Sequence, residues 1–283
     1  MLNDFERVQV LSEALPFIQK FYGRTIVIKY GGSAMQNQVL KNKVIEDIIF
    51  LSYIGLKPVL VHGGGPNINK WLNKLNIESK FNEGIRVTDS PTMEIVEMVL
   101  VGSVNQELVA LINKKKGRAI GLSGKDGGLI TATKLFNQND NFVGKISNIN
   151  SNIINLLIDK GYIPVIASVA ANSDGESYNI NADTVAGAIA ADLQAEKLIL
   201  LTDTSGIMED INDKDSLIKL LDMITINDLK KKNIISGGMI PKVDCCMEAI
   251  KHGVKSAHII DGRIEHSLLL EILTKDGIGS MLI

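Results

Sequence analysis

The chain has 283 residues, of which 45% are apolar, 22% charged and 5% aromatic, a profile that excludes a disordered or fibrous protein and leaves room for one large domain or two joined lobes. Lys plus Arg total 30 against 32 for Asp plus Glu, a formal net charge of -2, so no overall field draws this surface toward nucleic acid or an anionic membrane, and any phosphate binding has to be local. No apolar run approaches the ~20 residues of a membrane span, and the start MLNDFERVQV lacks the basic-then-apolar pattern of a secretory signal, which predicts an intracellular protein.

From Asp4 to Tyr22 the apolar residues Val8, Leu11, Leu15, Ile18 and Tyr22 recur at spacings of three and four, the pattern of an amphipathic helix, bent where Pro16 removes a backbone hydrogen bond. Short β-rich runs then alternate with longer helical stretches: Thr25 to Ile28, Pro58 to Val61, Arg118 to Leu122, Ile163 to Ser168, Lys197 to Thr202 and Ala257 to Ile260. Strands this apolar have no wet face. The alternation therefore predicts an α/β fold with an open, mainly parallel central sheet sandwiched between helices, in two lobes. Residues 137–150 and 171–178 are polar and rich in Asn, Gly and Ser, and read as hairpin or loop excursions off that sheet. The predicted division is an N-terminal helix over residues 1–23, a first lobe over 24–178 and a second over 179–283.

Glycine clusters follow two of the predicted strands, Gly31-Gly32 in IVIKYGGSAM and Gly63-Gly64-Gly65 in VLVHGGGPNINKWL. In an open parallel sheet, ligands bind beyond the carboxyl ends of the strands, where glycine lets main-chain N–H groups approach an anion and a following helix offers its positive end. A third cluster, SGGMIPK, places Gly237 and Gly238 before a helix that carries Lys242. Lys29 ends an apolar strand, where an unpaired ammonium is costly, so an anionic partner is expected. Asp183 falls on the first turn of the helix NADTVAGAIAADL, and both a capping role and a functional one stay open for it.

Neither nucleotide fingerprint, G-x-G-x-x-G after a strand or G-x-x-x-x-G-K-[ST], is present, and the superficially similar GLSGKD at 121–126 reads as a structural turn. Of four histidines only His62 lies near a glycine cluster, which leaves a serine or cysteine triad without support, and no spacing suggests a protein-held metal. Cys245 and Cys246 are sequence neighbours that suit neither a disulfide framework nor a zinc site and read as small buried hydrophobes. With only five arginines in the chain, each is a better candidate for a task that needs a planar two-pronged donor, Arg86 in EGIRVTD among them.

Taken together, IKYGG, VHGGGP, GIRVTD, NINADTVA and SGGMIPK, in this order from about Thr25 onward, closely resemble the amino acid kinase family, and within it the branch that phosphorylates N-acetyl-L-glutamate. The resemblance implies that Lys29 and Lys242 hold the transferring phosphoryl group and that Asp183 positions both. It makes Gly32, Gly64 and Gly65 main-chain donors, places Arg86 and Asn179 on the substrate, and places Gly237, Gly238 and Met239 in the nucleotide loop. ATP is then the donor, with Mg²⁺ held mainly by its phosphates. No general base is needed, because a γ-carboxylate is already ionised at pH 7.

The N-terminal helix and the tail HSLLLEILTKDGIGSML resemble the arginine-inhibited, hexameric branch of the family, which implies a trimer of dimers and contacts from Glu271 and Gly277 to L-arginine; a solvated helix charge is the other reading of Glu271. GGMIPKVDCC and HIIDGRIEH resemble the branch from photosynthetic lineages, which implies a PII signalling protein as partner and either the cytoplasm or the plastid stroma as the compartment. A non-catalytic arginine sensor and a kinase for another acidic amino acid are the rival readings.

Overall fold

The structure, a computed structural model, describes residues 3–82, 85–136 and 140–283, so residues 137–139 of the polar stretch and Gly84 of the GIRVTD motif lie outside the described residues. Helix α1 (Asp4–Phe21) starts at a capping box in which Asn3 and Glu6 each accept the other's main-chain N–H, and it continues past Pro16 as one element. Strand β1 (Thr25–Tyr30), helix α2 (Gln38–Tyr53), strand β2 (Lys57–His62) and helix α3 (Gly65–Lys74) follow, then a ribbon of β3 (Phe81–Asn82) and β4 (Ile85–Arg86). Next come α4 (Ser90–Glu97), a π-helical segment (Met98–Asn105) and α5 (Gln106–Lys114), which run on as one helix from Ser90 to Lys114.

Strands β5 (Ala119–Ser123), β6 (Ile130–Lys134) and β7 (Gly144–Ile149), helix α6 (Asn152–Asp159) and strands β8 (Ile163–Ala167), β9 (Val169–Ala171) and β10 (Ser177–Asn179) lead to α7 (Ala182–Asp192). The chain closes with β11 (Lys197–Thr202), β12 (Leu220–Leu221), α8 (Met223–Lys231), α9 (Met239–Lys251), β13 (Ser256–Asp261), α10 (Ser267–Leu273) and β14 (Ser280–Leu282).

Among the described residues the main sheet has eight strands in the order β12-β14-β13-β11-β1-β2-β8-β5, parallel throughout except where β14 meets β13. Each β-rich run expected from the sequence is a strand of this sheet, with ends that differ by at most two residues. Side chains alternate between its faces. Ile26, Ile28 and Tyr30 pack into one cluster with residues of α2, α3 and the 90–114 helix, whereas Val27 packs into the other with residues of α7 and α9, giving three layers. The polar stretches contribute β7 and β10 to a second sheet, β10-β9-β6-β7, where they pair antiparallel with β6 and β9, the hairpin form of the excursions expected there. Within it β7 is a strand because Ile146 and Ile149 reach the core between solvent-facing polar neighbours.

The helix from Ser90 to Lys114 is long and apolar enough, by length and composition, to cross a membrane. Polar residues scattered through it, Glu94, Glu97, Ser103 and Glu107 among them, break its apolar run. Its stripe of Val96, Val99, Leu100, Val104, Leu108 and Ile112 is buried against the sheet, as in the core helix of a layered α/β protein.

Candidate active site

Strand register places the site. Tyr30 pairs with His62 and His62 with Ala167, so β1, β2 and β8 end at one edge of the sheet, where Gly31-Gly32 and Gly63-Gly64-Gly65 lie side by side. Chain order also reverses here, since β1 is flanked by β2 from the first half and by β11 from the second, the position at which open α/β sheets bind ligands.

Lys29 shares the face of Val27 and so points toward α7, which starts over this edge: a Cβ at Gly63 would lie 3.4 Å from that of Ala182. The cap of α7 is Asn181, whose side chain accepts from the main-chain N–H groups of Asp183 and Thr184 at 2.8 and 3.4 Å. This leaves the Asp183 carboxylate free for other partners. The small residues of α7 let α9 approach closely, since a Cβ at Gly187 would lie 2.5 Å from Cys245 Sγ, and α9 delivers Lys242 from its first turns.

Lys29 Nζ lies 2.9 Å from Asp183 Oδ1, and Lys242 Nζ donates to Oδ2 at 2.6 Å. Each carboxylate oxygen of Asp183 thus faces one ammonium group. Burial alone would raise the Asp183 pKa, but the two ammonium groups outweigh it and hold the carboxyl below its ordinary value. Cys245 is half-buried and its thiol donates to the Asp183 carbonyl at 2.9 Å, with burial pushing its pKa up to about 12, while Cys246 is buried as expected.

The glycines tighten this centre. A Cβ at Gly31 would lie 2.8 Å from Lys29 Nζ, and one at Gly32, whose φ is +71°, would lie 2.7 Å from Asp203 Oδ1. Asp203, the first residue after β11, was missed from sequence, although the end of a strand at this edge was signal enough. Gly237, at φ +52°, and Gly238 lie in open space just before Met239 and α9, so a side chain at neither would meet a neighbour.

Arg86 is buried at the end of β4. Its Nη2 donates to Asn69 Oδ1 at 2.7 Å and reaches the Gly65 carbonyl at 3.4 Å, its Nη1 donates to Ser79, and the guanidinium stacks 4.7 Å above the Phe81 ring. Among the described residues no carboxylate pairs with it, and burial lowers its pKa. A buried guanidinium in that state is prepared for an external carboxylate. A cavity of about 270 Å³ opens beside it, lined by Asn82, Ile85, Arg86, Val87, Phe136 and Asn141. Asn179 joins the same corner by donating to Thr88 Oγ1 at 3.1 Å, and Thr88 in turn donates to the Arg86 carbonyl. A larger cleft of about 560 Å³ over α2 and the end of α5 contains none of these groups.

Glu271 and Gly277 come together elsewhere, at α10. A Cβ at Gly277 would lie 2.7 Å from Glu271 Oε2, which accepts from the main-chain N–H groups of Ile278 and Gly279. The other oxygen faces His258 Nδ1 at 2.6 Å, and Lys197 Nζ is 2.9 Å from His258 Nε2. Glu271 is therefore buried, and a solvated helix charge is not its state. His258, its pKa lowered by burial, is a neutral link between the Lys197 ammonium and the Glu271 carboxylate.

The chain is 64% identical over its full length, and over the full length of the relative, to an acetylglutamate kinase of Gracilaria tenuistipitata var. liui. It is 60% identical to one of Thermosynechococcus vestitus, covering all of this chain and 96% of that one. In structure it is similar to an N-acetylglutamate synthase from Neisseria gonorrhoeae, solved with coenzyme A and N-acetyl-glutamate, with TM-score 0.85 at 24% identity over 97% of this chain and 63% of that one. It is also similar to a carbamate kinase from Giardia lamblia bound to AMP-PNP, with TM-score 0.67 at 17% identity over 92% of this chain and 98% of that one. Residues 24–261 match the profile of the Amino acid kinase family, and the chain belongs to that family.

Proposed function

We propose that this chain transfers the γ-phosphoryl group of ATP to the γ-carboxylate of N-acetyl-L-glutamate, a step of arginine biosynthesis. The observation that carries this reading is the Asp183 carboxylate set between Lys29 and Lys242 at the edge where the glycine loops meet. Phosphoryl transfer to a carboxylate brings two anions together, so catalysis consists of alignment and of neutralising charge on the transferred group. The two ammonium groups and the amides of Gly32, Gly64 and Gly65 supply that neutralisation. Asp183 keeps the ammonium groups close despite their mutual repulsion. Gly237, Gly238 and Met239 receive the nucleotide at the positive end of α9.

Both oxygens of Asp183 already face ammonium groups, so the donor set suits phosphate oxygens, and Mg²⁺ is held by the nucleotide phosphates and water. When bound, Mg²⁺ neutralises charge on those phosphates. Arg86 clasps the α-carboxylate of the acceptor and Asn179 meets its neighbouring polar groups. An acetylated nitrogen fits beside Arg86, whereas the free ammonium of glutamate would be repelled by it. In a coupled assay of ADP release, N-acetyl-L-glutamate supports turnover while glutamate, aspartate and carbamate stay near background. Equal rates with any of these three would overturn the reading.

L-arginine is proposed as the inhibitor, bound between α1 and α10 with contacts to Glu271 and Gly277. In support, Lys197 at the foot of the Glu271 network lies over the ring of Phe21, the last residue of α1. The exposed Phe5, Val8, Leu11 and Leu15 of α1 suit association into a trimer of dimers. A PII signalling protein is the proposed partner that relieves inhibition.

A further inference from the structure

His62 ends β2 with no exposed surface, and the reaction proposed above assigns it no step. Both of its ring nitrogens are nevertheless engaged. Nδ1 lies 2.9 Å from the Gly63 carbonyl oxygen, and Nε2 lies 3.0 Å from Asn105 Nδ2. The same Asn105 nitrogen lies 2.8 Å from the Val165 carbonyl and 3.4 Å from that of Leu122, both of which can only accept, so it is the amide NH₂ group; of its two hydrogens one goes to Val165 and the other to Nε2, which is nearer than the Leu122 oxygen. Nε2 is thus the acceptor, and Nδ1 carries the hydrogen donated to Gly63. Burial acts in the same direction, pushing the ring pKa down to about 4 and keeping it neutral. Asn105 is itself wedged in place, since a Cβ at Gly121 would lie 1.9 Å from its Oδ1.

The consequence falls on the next peptide. Among the described residues no peptide bond is cis, and in a trans peptide the C=O of one residue and the N–H of the next point in opposite directions. Holding the Gly63 carbonyl against a buried ring therefore turns the Gly64 N–H outward, beyond the sheet edge. Gly63 is fixed on its other side too, donating its own N–H to Tyr30 at 3.1 Å. Gly64 and Gly65 stand just ahead of Pro66 at the start of α3, and neither amide has an acceptor among the described residues.

An independent contact joins the same helix to the same loop. A Cβ at Gly64 would lie 2.6 Å from Leu100 Cδ2 and 3.3 Å from Val104 Cγ2. Leu100, Val104 and Asn105 all belong to the π-helical segment, where an i→i+5 turn stacks residue 100 over residue 105. That wide turn presents all three to the glycine loop.

The geometry points to His62, held in its Nδ1–H form by Asn105, as a positioning residue that aims the Gly64 amide at the oxygen gaining charge during phosphoryl transfer. This rests on the function proposed above. Removing one such donor costs roughly 100- to 1,000-fold in kcat, and misplacing a reacting group by about 1 Å costs up to roughly 100-fold.

The test compares His62→Gln, which keeps a polar group toward Asn105 and loses the donor to Gly63, with His62→Asn, which keeps a donor at the δ position. For His62→Gln the expected result is a fall in kcat of roughly 30- to 100-fold, with both KM values within about threefold of wild type. Affinity for ADP with tetrafluoroaluminate and N-acetyl-L-glutamate should fall in parallel, while affinity for a β,γ-imido ATP analogue is unchanged. His62→Asn should recover turnover to within about fivefold of wild type. Equal loss of affinity for both nucleotide complexes, or an unchanged kcat, overturns the inference.

Should His62→Gln fail to fold, Asn105→Ala carries the test with the same expected selectivity. Failure of both variants to fold assigns the pair to stability and overturns the inference as well. A wild-type protein without N-acetyl-L-glutamate-dependent turnover counts against the proposed function, whereas an active wild type beside an equally active His62→Gln counts against this inference alone.

Discussion

Replacing Asp183 by Ala removes the carboxylate that pairs with both Lys29 and Lys242. The carboxylate oxygens sit 2.9 and 2.6 Å from the respective ammonium nitrogens, which places the two cations within about 8 Å of one another. At an effective dielectric constant of about 20, two unit charges at that separation repel by roughly 2 kcal/mol. Losing the shared partner of a buried cluster typically costs about 3–5 kcal/mol of stability. In the variant the lysines are expected to move apart, so that neither meets the transferring group in line. The expected fall in kcat is roughly 100- to 10,000-fold, with the KM for N-acetyl-L-glutamate changed by less than about fivefold, because Arg86 and its supports are untouched.

Initial rates from coupled ADP release measure the loss in turnover. Thermal unfolding with and without ADP separates it from simple unfolding, since polyphosphate supplies the missing negative charge and should recover much of the lost stability. Turnover within about threefold of wild type in a folded Asp183→Ala protein would refute the reasoning.

Other outcomes follow from the same geometry. Arg86→Lys should raise the KM for N-acetyl-L-glutamate by roughly 10- to 100-fold with little change in kcat, because a point charge cannot reproduce the forked contact or the stacking on Phe81; an unchanged KM in steady-state kinetics would contradict this. Protein stability should fall as pH drops from 6.5 toward 4. Over that window the unfolded chain takes up a proton at His62, whose ordinary value is 6.5, while the folded chain, with its ring near 4, does not. The contribution is about 3 kcal/mol, and denaturant titrations at pH 7 and 4.5 should show the difference shrinking in His62→Gln. Deleting residues 1–23 should leave an active dimer with a weakened arginine response, and sedimentation showing an unchanged hexamer with unchanged inhibition would contradict the role given to α1.

The main sheet and the site edge were legible because strand composition and glycine placement are local signals. Lys29 was also legible as a charge in need of a partner, and the structure supplies Asp183. Whether Asp183 caps its helix could not be read locally, and Asn181 two residues earlier holds that role. Contacts between residues far apart in sequence were out of reach: Asn69 and Ser79 beneath Arg86, the Cys245 thiol on the Asp183 carbonyl, and Lys197 joined through His258 to Glu271. The π-helical segment left no periodic trace, since one widened turn inside a long helix shifts the apolar pattern without breaking it. The second sheet was legible only as hairpin or loop excursions, because the polar faces of its short strands resemble loop composition.

The central claim is that Lys29, Asp183 and Lys242 act as one electrostatic unit on the transferring phosphoryl group. A double-mutant cycle in kcat tests it most directly, comparing Asp183→Ala, Lys242→Ala and the combined variant. The account predicts strong non-additivity, the double variant turning over within about tenfold of the slower single variant. Losses that simply multiply would show that the two residues contribute separately, and would contradict the account.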